Sequence, residues 1–430
     1  MALVEYAAAF KSRHILTVLL LGFSSGLPLA LTAGTLQAWL AIEGVDFVTI
    51  GWFALAGQPY TYKFLWAPLM DRFQLPFLGR RRGWLAATQL LLLALIAWLG
   101  TLSPRDTPWL AGFAALAIAF VSASQDVVVD AYRTDILRPQ ERGAGAAVSV
   151  LGYRIAMLVS GAGALVLADQ WLGWHATYWL MAALMLVGFA ATWFAIEPPG
   201  AAAAPRTLQQ AVLEPLAEYF SRKGALWMLA LIVLYKLGDA FAGNLTTAFL
   251  LRGPGFTPTE VGAISKGFGL AATIAGALAG GALMAKLRLY RALLLFGALQ
   301  AVTNLGFMAL AGAGKDYLLL YLVIGAENLC GGMGTAAYVA LLMALCDRRF
   351  SATQYALLSA LSAVGRVYVG PLAGYLVASL GWQLFFLGTF LIALPGVVML
   401  YFLRATLDAL DQSPPAGTAT SSRNQASNKV

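Results

Sequence analysis

What constrains this chain most is a series of twelve apolar stretches, each about as long as the ~20 residues a helix needs to cross a ~30 Å hydrocarbon core. They fall near 15–40, 48–70, 84–103, 108–132, 143–167, 176–196, 225–251, 258–284, 289–312, 316–345, 354–379 and 383–404. Hydrophobic residues make up 60% of the chain and charged residues only 11%. Soluble domains average about 45–50% and about 25%. A soluble core cannot absorb the difference, so the surplus must face lipid. An all-α integral membrane protein is the expected class. The first apolar run, Ile15 to Leu40, is too long for the hydrophobic region of a signal peptide and reads as the first span.

Positive charge orients the set. Twenty of the 28 Lys and Arg residues fall in the terminal segments and alternate loops on one side. Only Arg105, Arg252 and Lys315 fall on the other, and the remaining five lie inside spans. By the positive-inside rule both termini are expected in the cytoplasm. The +8 formal charge is thereby explained by anionic lipid rather than nucleic acid. Residues 197–224, with Pro198, Pro199, Pro205 and then Glu214, Glu218, Arg222 and Lys223, break the hydrophobic pattern. They divide the chain into a six-span half (1–196), a cytoplasmic linker, and a second half (225–404). A Ser/Thr/Asn/Pro-rich tail over 405–430 is expected to be disordered. Cys330 and Cys346 stand about 24 Å apart if helical, too far for a disulfide. With His14 and His175 they form no metal-ligand spacing.

The halves echo one another. Asp135 and Arg154 recur as Asp347 and Arg366 at an offset of 212, and Gly44 and Gly51 as Gly255 and Gly262 at an offset of 211. Two such halves joined by a linker resemble the major facilitator fold, twelve transmembrane helices in two pseudo-symmetric six-helix bundles. The loop after span 2 resembles that superfamily's loop signature, with Asp71, Arg72, Gly79, Arg80 and Arg81 as a candidate cytoplasmic gate. A plain topogenic basic loop would carry the same charges.

An ionisable side chain at bilayer depth costs at least about 2.5–3.5 kcal/mol on insertion scales, so each needs a reason. Lys236 and Asp239, three apart on span 7, are expected to neutralise one another. Ser122, Asp126, Asp130 and Arg133 form one stripe of span 4, whose repeat partners in span 10 are uncharged. Asp126, Glu327 and Asp130 are therefore candidates for proton coupling, against the alternative of buried structural partners. Arg154 and Arg366, one per half, suit a ligand bearing carboxylates, with Lys63 and Lys266 adding positive charge. Gln58, Tyr60, Tyr62 and Gln125 can hydrogen-bond and stack on sugar rings. Gly22 with Gly26, and Gly276 with Gly280, have the spacing of close helix packing.

Four segments carry a more specific likeness: LGFSSGLPLALTAGTLQAWL (Leu21–Leu40), KFLWAPLMDRF (Lys63–Phe73) followed by GRRRGW (Gly79–Trp84), SASQDVVVDAYRTDIL (Ser122–Leu137) and ERGAGAAVSVLGYRIAMLVSG (Glu141–Gly161). With these the chain resembles the AmpG-type muropeptide permeases. The resemblance implies proton-driven import of N-acetylglucosaminyl-1,6-anhydro-N-acetylmuramyl peptides from periplasm to cytoplasm for peptidoglycan recycling, a process that feeds β-lactamase induction. It marks Lys63, Gln125, Asp126, Asp130 and Arg154 as important positions. The expected partners are the anhydro-muropeptide, protons and membrane lipid. The chain is expected to work as a monomer in the bacterial inner membrane, with the proton gradient in place of a cofactor. Rival readings are a carrier of another anion, resembling acetyl-CoA transporters, or a drug exporter. No nucleophile–His–acid set points to an enzyme.

Overall fold

A computed structural model describes residues 13–67, 70, 73–137, 142–197, 217–222, 224–346 and 351–412. Among them are helices and no strand. Among the described residues nine helices are long and apolar enough to cross a membrane. Two of these, Ala147–Phe194 and Leu358–Phe402, run 48 and 45 residues, about two crossings each. Each turns at one glycine with a left-handed backbone, Gly173 (φ 69°) and Gly381 (φ 73°), which an L side chain would resist. Another crossing, at 47–65, is cut into four short helical segments. The two double helices and the broken one bring the nine to the expected twelve.

We number the crossings α1 (Arg13–Ile42), α2 (47–65), α3 (Arg80–Leu99), α4 (Pro108–Ile136), α5 (142–172), α6 (Gly173–Phe194), α7 (Ala225–Arg252), α8 (Pro258–Met284), α9 (Leu289–Ala313), α10 (Tyr317–Ala344), α11 (351–380) and α12 (382–402). In the first half α1 packs on α5 and α3 on α6. In the second half α7 packs on α11 and α9 on α12. Between the halves α2 meets α11 and α5 meets α8.

The internal repeat has a structural meaning. Gly44 and Gly255 both turn the chain with positive φ, 77° and 81°. Two residues on, Asp46 and Thr257 each cap a helix start through a side-chain oxygen, accepting from Thr49 N and Glu260 N. Gly51 and Gly262 then approach the opposite half. A Cβ on Gly51 would lie 2.3 Å from the Gly370 carbonyl oxygen of α11, and one on Gly262 2.9 Å from the Ala162 carbonyl oxygen of α5. Each repeat therefore reads turn, cap, contact.

Within a half, Gly22 and Gly26 bring α1 against the backbone of Ser149 and Tyr153 on α5, and Gly276 and Gly280 bring α8 against Leu329 and Met333 on α10, as the spacing predicted. Where α5 and α8 meet, both backbones widen into π turns, at Val159–Gly163 and Val261–Phe268. Such turns often mark functional sites.

Two features depart from what chain position alone suggests. Trp39, near the end of its span, where aromatic residues often anchor at the membrane interface, is 1% exposed and stacks on Trp174 with a centroid distance of 5.9 Å. It joins His175 and Tyr178 in an aromatic core where α1 meets α6. The tail expected to be disordered from 405 instead begins as a helix, α13 (Arg404–Gln412), whose Leu407 is fully buried against the second half. Of the linker, residues 217–221 are helical, and the rest, apart from Glu197, Arg222 and Gly224, lies outside the described residues. Arg222 there donates to the Leu345 carbonyl at the end of α10, at 2.5 Å, which fastens the linker to the second half. Cys330 and Cys346 are both free.

Candidate functional site

The halves are bonded to each other toward the end that is poor in basic residues. Gln37 of α1 donates to the Asn244 carbonyl of α7 (2.6 Å) and accepts from Ala248 N (3.2 Å). The Asp169 carboxylate, at the end of α5, accepts from Thr259 N at 3.1 Å and Thr259 Oγ1 at 2.5 Å, and so covers the N-terminus of α8. Gln170 bonds both. On the pseudo-symmetric side, Arg252 at the end of α7 donates to the Val45 carbonyl (2.6 Å) and lies over the Phe47 ring at 4.2 Å. Phe47 in turn packs on Trp382.

At the arginine-rich end, the bonds among the described residues stay within one half. Arg81 of α3 pairs with Asp135 of α4 at 2.9 Å. The Glu197 carboxylate accepts from the backbone N–H of Arg81 (2.8 Å) and Arg82 (3.0 Å), at the positive start of α3. The Arg82 side chain donates to the Thr192 and Trp193 carbonyls that end α6, and Arg13 donates to that of Phe194. Gly79 turns the chain with φ 87°, and Arg80 opens α3. Of the candidate gate, Asp71 and Arg72 lie outside the described residues. The bonds of Arg81 and Arg82 tie α3, α4 and α6 of the first half together.

Between the sealed end and the arginine-rich end, charged side chains of both halves gather in a region we call the chamber. Asp126 of α4 accepts from Ser25 Oγ of α1 and faces Lys63 of α2, Nζ to Oδ2 at 3.8 Å. Asp130, one turn on, is exposed and paired with Arg133 at 3.0 Å. Arg154 and Arg366 are both exposed, and neither has a carboxylate partner among the described residues. Among the described residues Arg154 Nη1 meets the Met157 sulfur, at 3.9 Å. One phenol, Tyr153, stands in the fields of Asp126, Arg154, Arg366 and Asp130 together. A guanidinium from each half thus acts on a single side chain. The Tyr62 and Tyr368 hydroxyls meet across it at 3.0 Å. Gln58 sits one turn before Tyr62, half-buried.

The second half lines the chamber with alternating charge. Glu327 of α10 accepts from Asn328 Nδ2 at 2.6 Å, and the Asn328 carbonyl oxygen accepts from Thr273 of α8 at 2.9 Å. Its charged neighbours are Asp239, Lys266 and Lys236. Lys266 donates to Thr247 Oγ1 of α7 at 3.0 Å and lies against Gly34 of α1, directly beneath the seal. Lys236 and Asp239 do pair, at 3.5 Å, and Lys236 also donates to Gln300 at 3.4 Å.

Two residues differ from the sequence reading. Gln125, expected in the chamber, is fully buried, with Nε2 donating to Ser24 Oγ at 2.9 Å. One residue along a helix is about 100° of rotation, which sends Asp126 to the chamber and Gln125 into the core of the half. Tyr153 was missed. Its one signal is its place beside Arg154, on the turn that Gly26 lets approach.

Comparison with known proteins agrees with this architecture. The family model described as Major Facilitator Superfamily matches residues 18–326 and 237–427. The anhydromuropeptide permease of Escherichia coli (strain K12) is 57% identical over 405 residues, covering 94% of this chain and 82% of that protein. The chain is an AmpG-type member of the Major Facilitator Superfamily. A bacterial homologue of the human lysosomal transporter Spinster, solved facing inward and unoccupied, shares the fold at TM-score 0.70 and 14% identity, covering 94% and 99% of the two chains. A POT family transporter in complex with a thioalcohol-conjugated peptide does so at TM-score 0.71 and 13% identity, covering 92% and 96%. Fold and relatives are those of transporters, so this is a multi-pass membrane transporter and not an enzyme.

Proposed function

We propose that this chain imports N-acetylglucosaminyl-1,6-anhydro-N-acetylmuramyl peptides across the bacterial inner membrane, from periplasm to cytoplasm, by proton-coupled alternating access. The observation that carries the reading is 57% identity to a permease of that name over nearly the whole chain. Two exposed arginines, one from each half and without a carboxylate partner among the described residues, supply the matching chemistry, because a muropeptide bears lactyl and peptide carboxylates that a guanidinium grips with two parallel bonds. By the positive-inside rule the open, arginine-rich end faces the cytoplasm, together with both termini. The state described is then inward-facing.

The coupling follows from the Lys63–Asp126 pair. A proton on Asp126 removes the counter-charge of an ammonium 3.8 Å away and frees Lys63 for a ligand carboxylate. When ligand and proton leave toward the cytoplasm, the pair re-forms. Glu327, among Asp239, Lys236 and Lys266, is a second proton carrier, and Asp130 is the exit nearer the cytoplasm. Arg154, Arg366 and Lys266 hold carboxylates, while Tyr62, Tyr153 and Gln58 serve the sugars. No cofactor enters this scheme, and one chain suffices.

The test is uptake of radiolabelled anhydro-muropeptide into right-side-out and inverted vesicles, with and without a protonophore. Protonophore-sensitive accumulation in right-side-out vesicles is expected, competed by unlabelled muropeptide and not by coenzyme A thioesters. Accumulation indifferent to the protonophore removes proton coupling. Competition by the thioester alone reassigns the solute.

A further inference from the structure

The two halves treat their equivalent basic loops differently. In the first half the arginines after α2 are used internally: Arg81 on Asp135, Arg82 on the end of α6. In the second half Lys286 and Arg288 of the loop between α8 and α9, and Arg291 in the first turn of α9, are all exposed and none has a hydrogen-bond or ion-pair partner among the described residues. The loop is nevertheless well fixed. Lys286 N and Leu287 N both donate to the Leu283 carbonyl at 2.9 Å, and Leu289 and Tyr290 are buried against the second half. Arg404 of α13 lies over the Tyr290 ring at 5.5 Å from the other side. Three cations thus project from this corner with no partner among the described residues.

Their neighbours indicate what does. Leu283 lies one turn before Lys286 and Leu295 one turn after Arg291, and both are exposed, 39% and 47%. Leu278, further along α8, is 71% exposed. These leucines belong to the lipid-facing surface of α8 and α9, so the cations sit at the level where hydrocarbon gives way to headgroups. A soluble anion would account for the charge but not for leucines flanking it on both sides. We propose that Lys286, Arg288 and Arg291 form a docking site for the headgroup of an anionic phospholipid, its phosphate among the three cations and its acyl chains along Leu283 and Leu295. The inference does not depend on which solute is carried. It needs only that α8 and α9 cross the bilayer.

Each basic residue near an anionic surface contributes about fivefold in affinity, and the effect falls away beyond a Debye length. The test uses the full chain in phosphatidylcholine nanodiscs doped with spin-labelled phosphatidylglycerol, reading the immobilised lipid fraction by electron spin resonance. The wild type is expected to prefer labelled phosphatidylglycerol to labelled phosphatidylcholine, and to lose that preference as salt rises. The triple variant Lys286→Gln, Arg288→Gln, Arg291→Gln is expected to lose it at low salt, by about a hundredfold in relative association. The charge-keeping variant Lys286→Arg, Arg288→Lys, Arg291→Lys is expected to retain it, with both variants matching the wild type in gel filtration and helical content. Unchanged preference in the glutamine variant overturns the proposal. So does displacement of the labelled lipid by millimolar glycerol phosphate, which would make the site one for a soluble anion.

Discussion

Replacing Gly51 with alanine should stop this transporter from settling into the conformation described, which we propose to be inward-facing. The added Cβ would lie 2.3 Å from the Gly370 carbonyl oxygen, 3.0 Å from its carbon and 3.3 Å from Gly374 Cα. All three are backbone atoms of α11 and cannot rotate aside, so restoring contact distance requires α2 and α11 to part by about an ångström. Overpacking of this kind costs about 1–3 kcal/mol. That cost falls only on the conformation in which these backbones touch, so the equilibrium should move toward the outward-open state by about 5- to 150-fold. Spin labels at Asp106 and Leu318, on opposite halves at the sealed end, would report the shift as a growing population at longer distance in pulsed dipolar spectroscopy. Gly262→Ala, whose Cβ meets the Ala162 carbonyl oxygen at 2.9 Å, should act in the same direction but less strongly. Gly44→Ala meets nothing within 4 Å and should carry only the backbone cost of its positive φ, without moving the labels. A wild-type distance distribution in Gly51→Ala would refute the assignment of this contact to the seal.

Asp126→Asn is expected to abolish accumulation driven by a pH gradient while leaving expression intact, and unchanged accumulation would remove Asp126 from the coupling. Arg154→Gln and Arg366→Gln should each weaken muropeptide binding by about 10- to 150-fold, the loss of one charged hydrogen-bonding partner worth about 1.5–3 kcal/mol. The corresponding lysine variants should recover only part of it, because an ammonium lacks the two-pronged geometry, and titration calorimetry on purified protein can check both. With Cys330 and Cys346 replaced by serine, Asp169→Cys with Thr259→Cys should cross-link under oxidation and halt uptake until reduced. Uptake that persists in the oxidised pair would mean the α5–α8 contact need not open.

Much of the fold was legible because lipid enforces it. A crossing must be apolar, about 20 residues long and internally hydrogen-bonded, so the twelve stretches could be read one by one. The glycine echoes at 44, 51, 255 and 262 were readable for a related reason, since only a residue without a side chain tolerates those turns and contacts. Bilayer charges were equally visible, and the Lys236–Asp239 pair formed as its spacing implied. Rotation about each helix was not legible. The sequence places Gln125 and Asp126 side by side, and only packing sends one to the core and the other to the chamber. Trp39 was hidden in the same way, because an aromatic near a span end suits either an interface or a contact with α6. The partners of Arg81 and Arg82 depend on where α6 ends in space, and loop composition carries no record of that.

Lys63 rides on a helix that changes its winding on the way to it. Phe53–Gly57 is wound with about three residues per turn in place of about 3.6, which adds roughly 20° per residue to the sweep of everything beyond. Were those five residues to relax to ordinary winding, the ammonium would swing by roughly a quarter turn and be drawn back by about 2.5 Å. The second helix could thereby make or break its grip on Asp126 like a screw, while the halves around it stayed still.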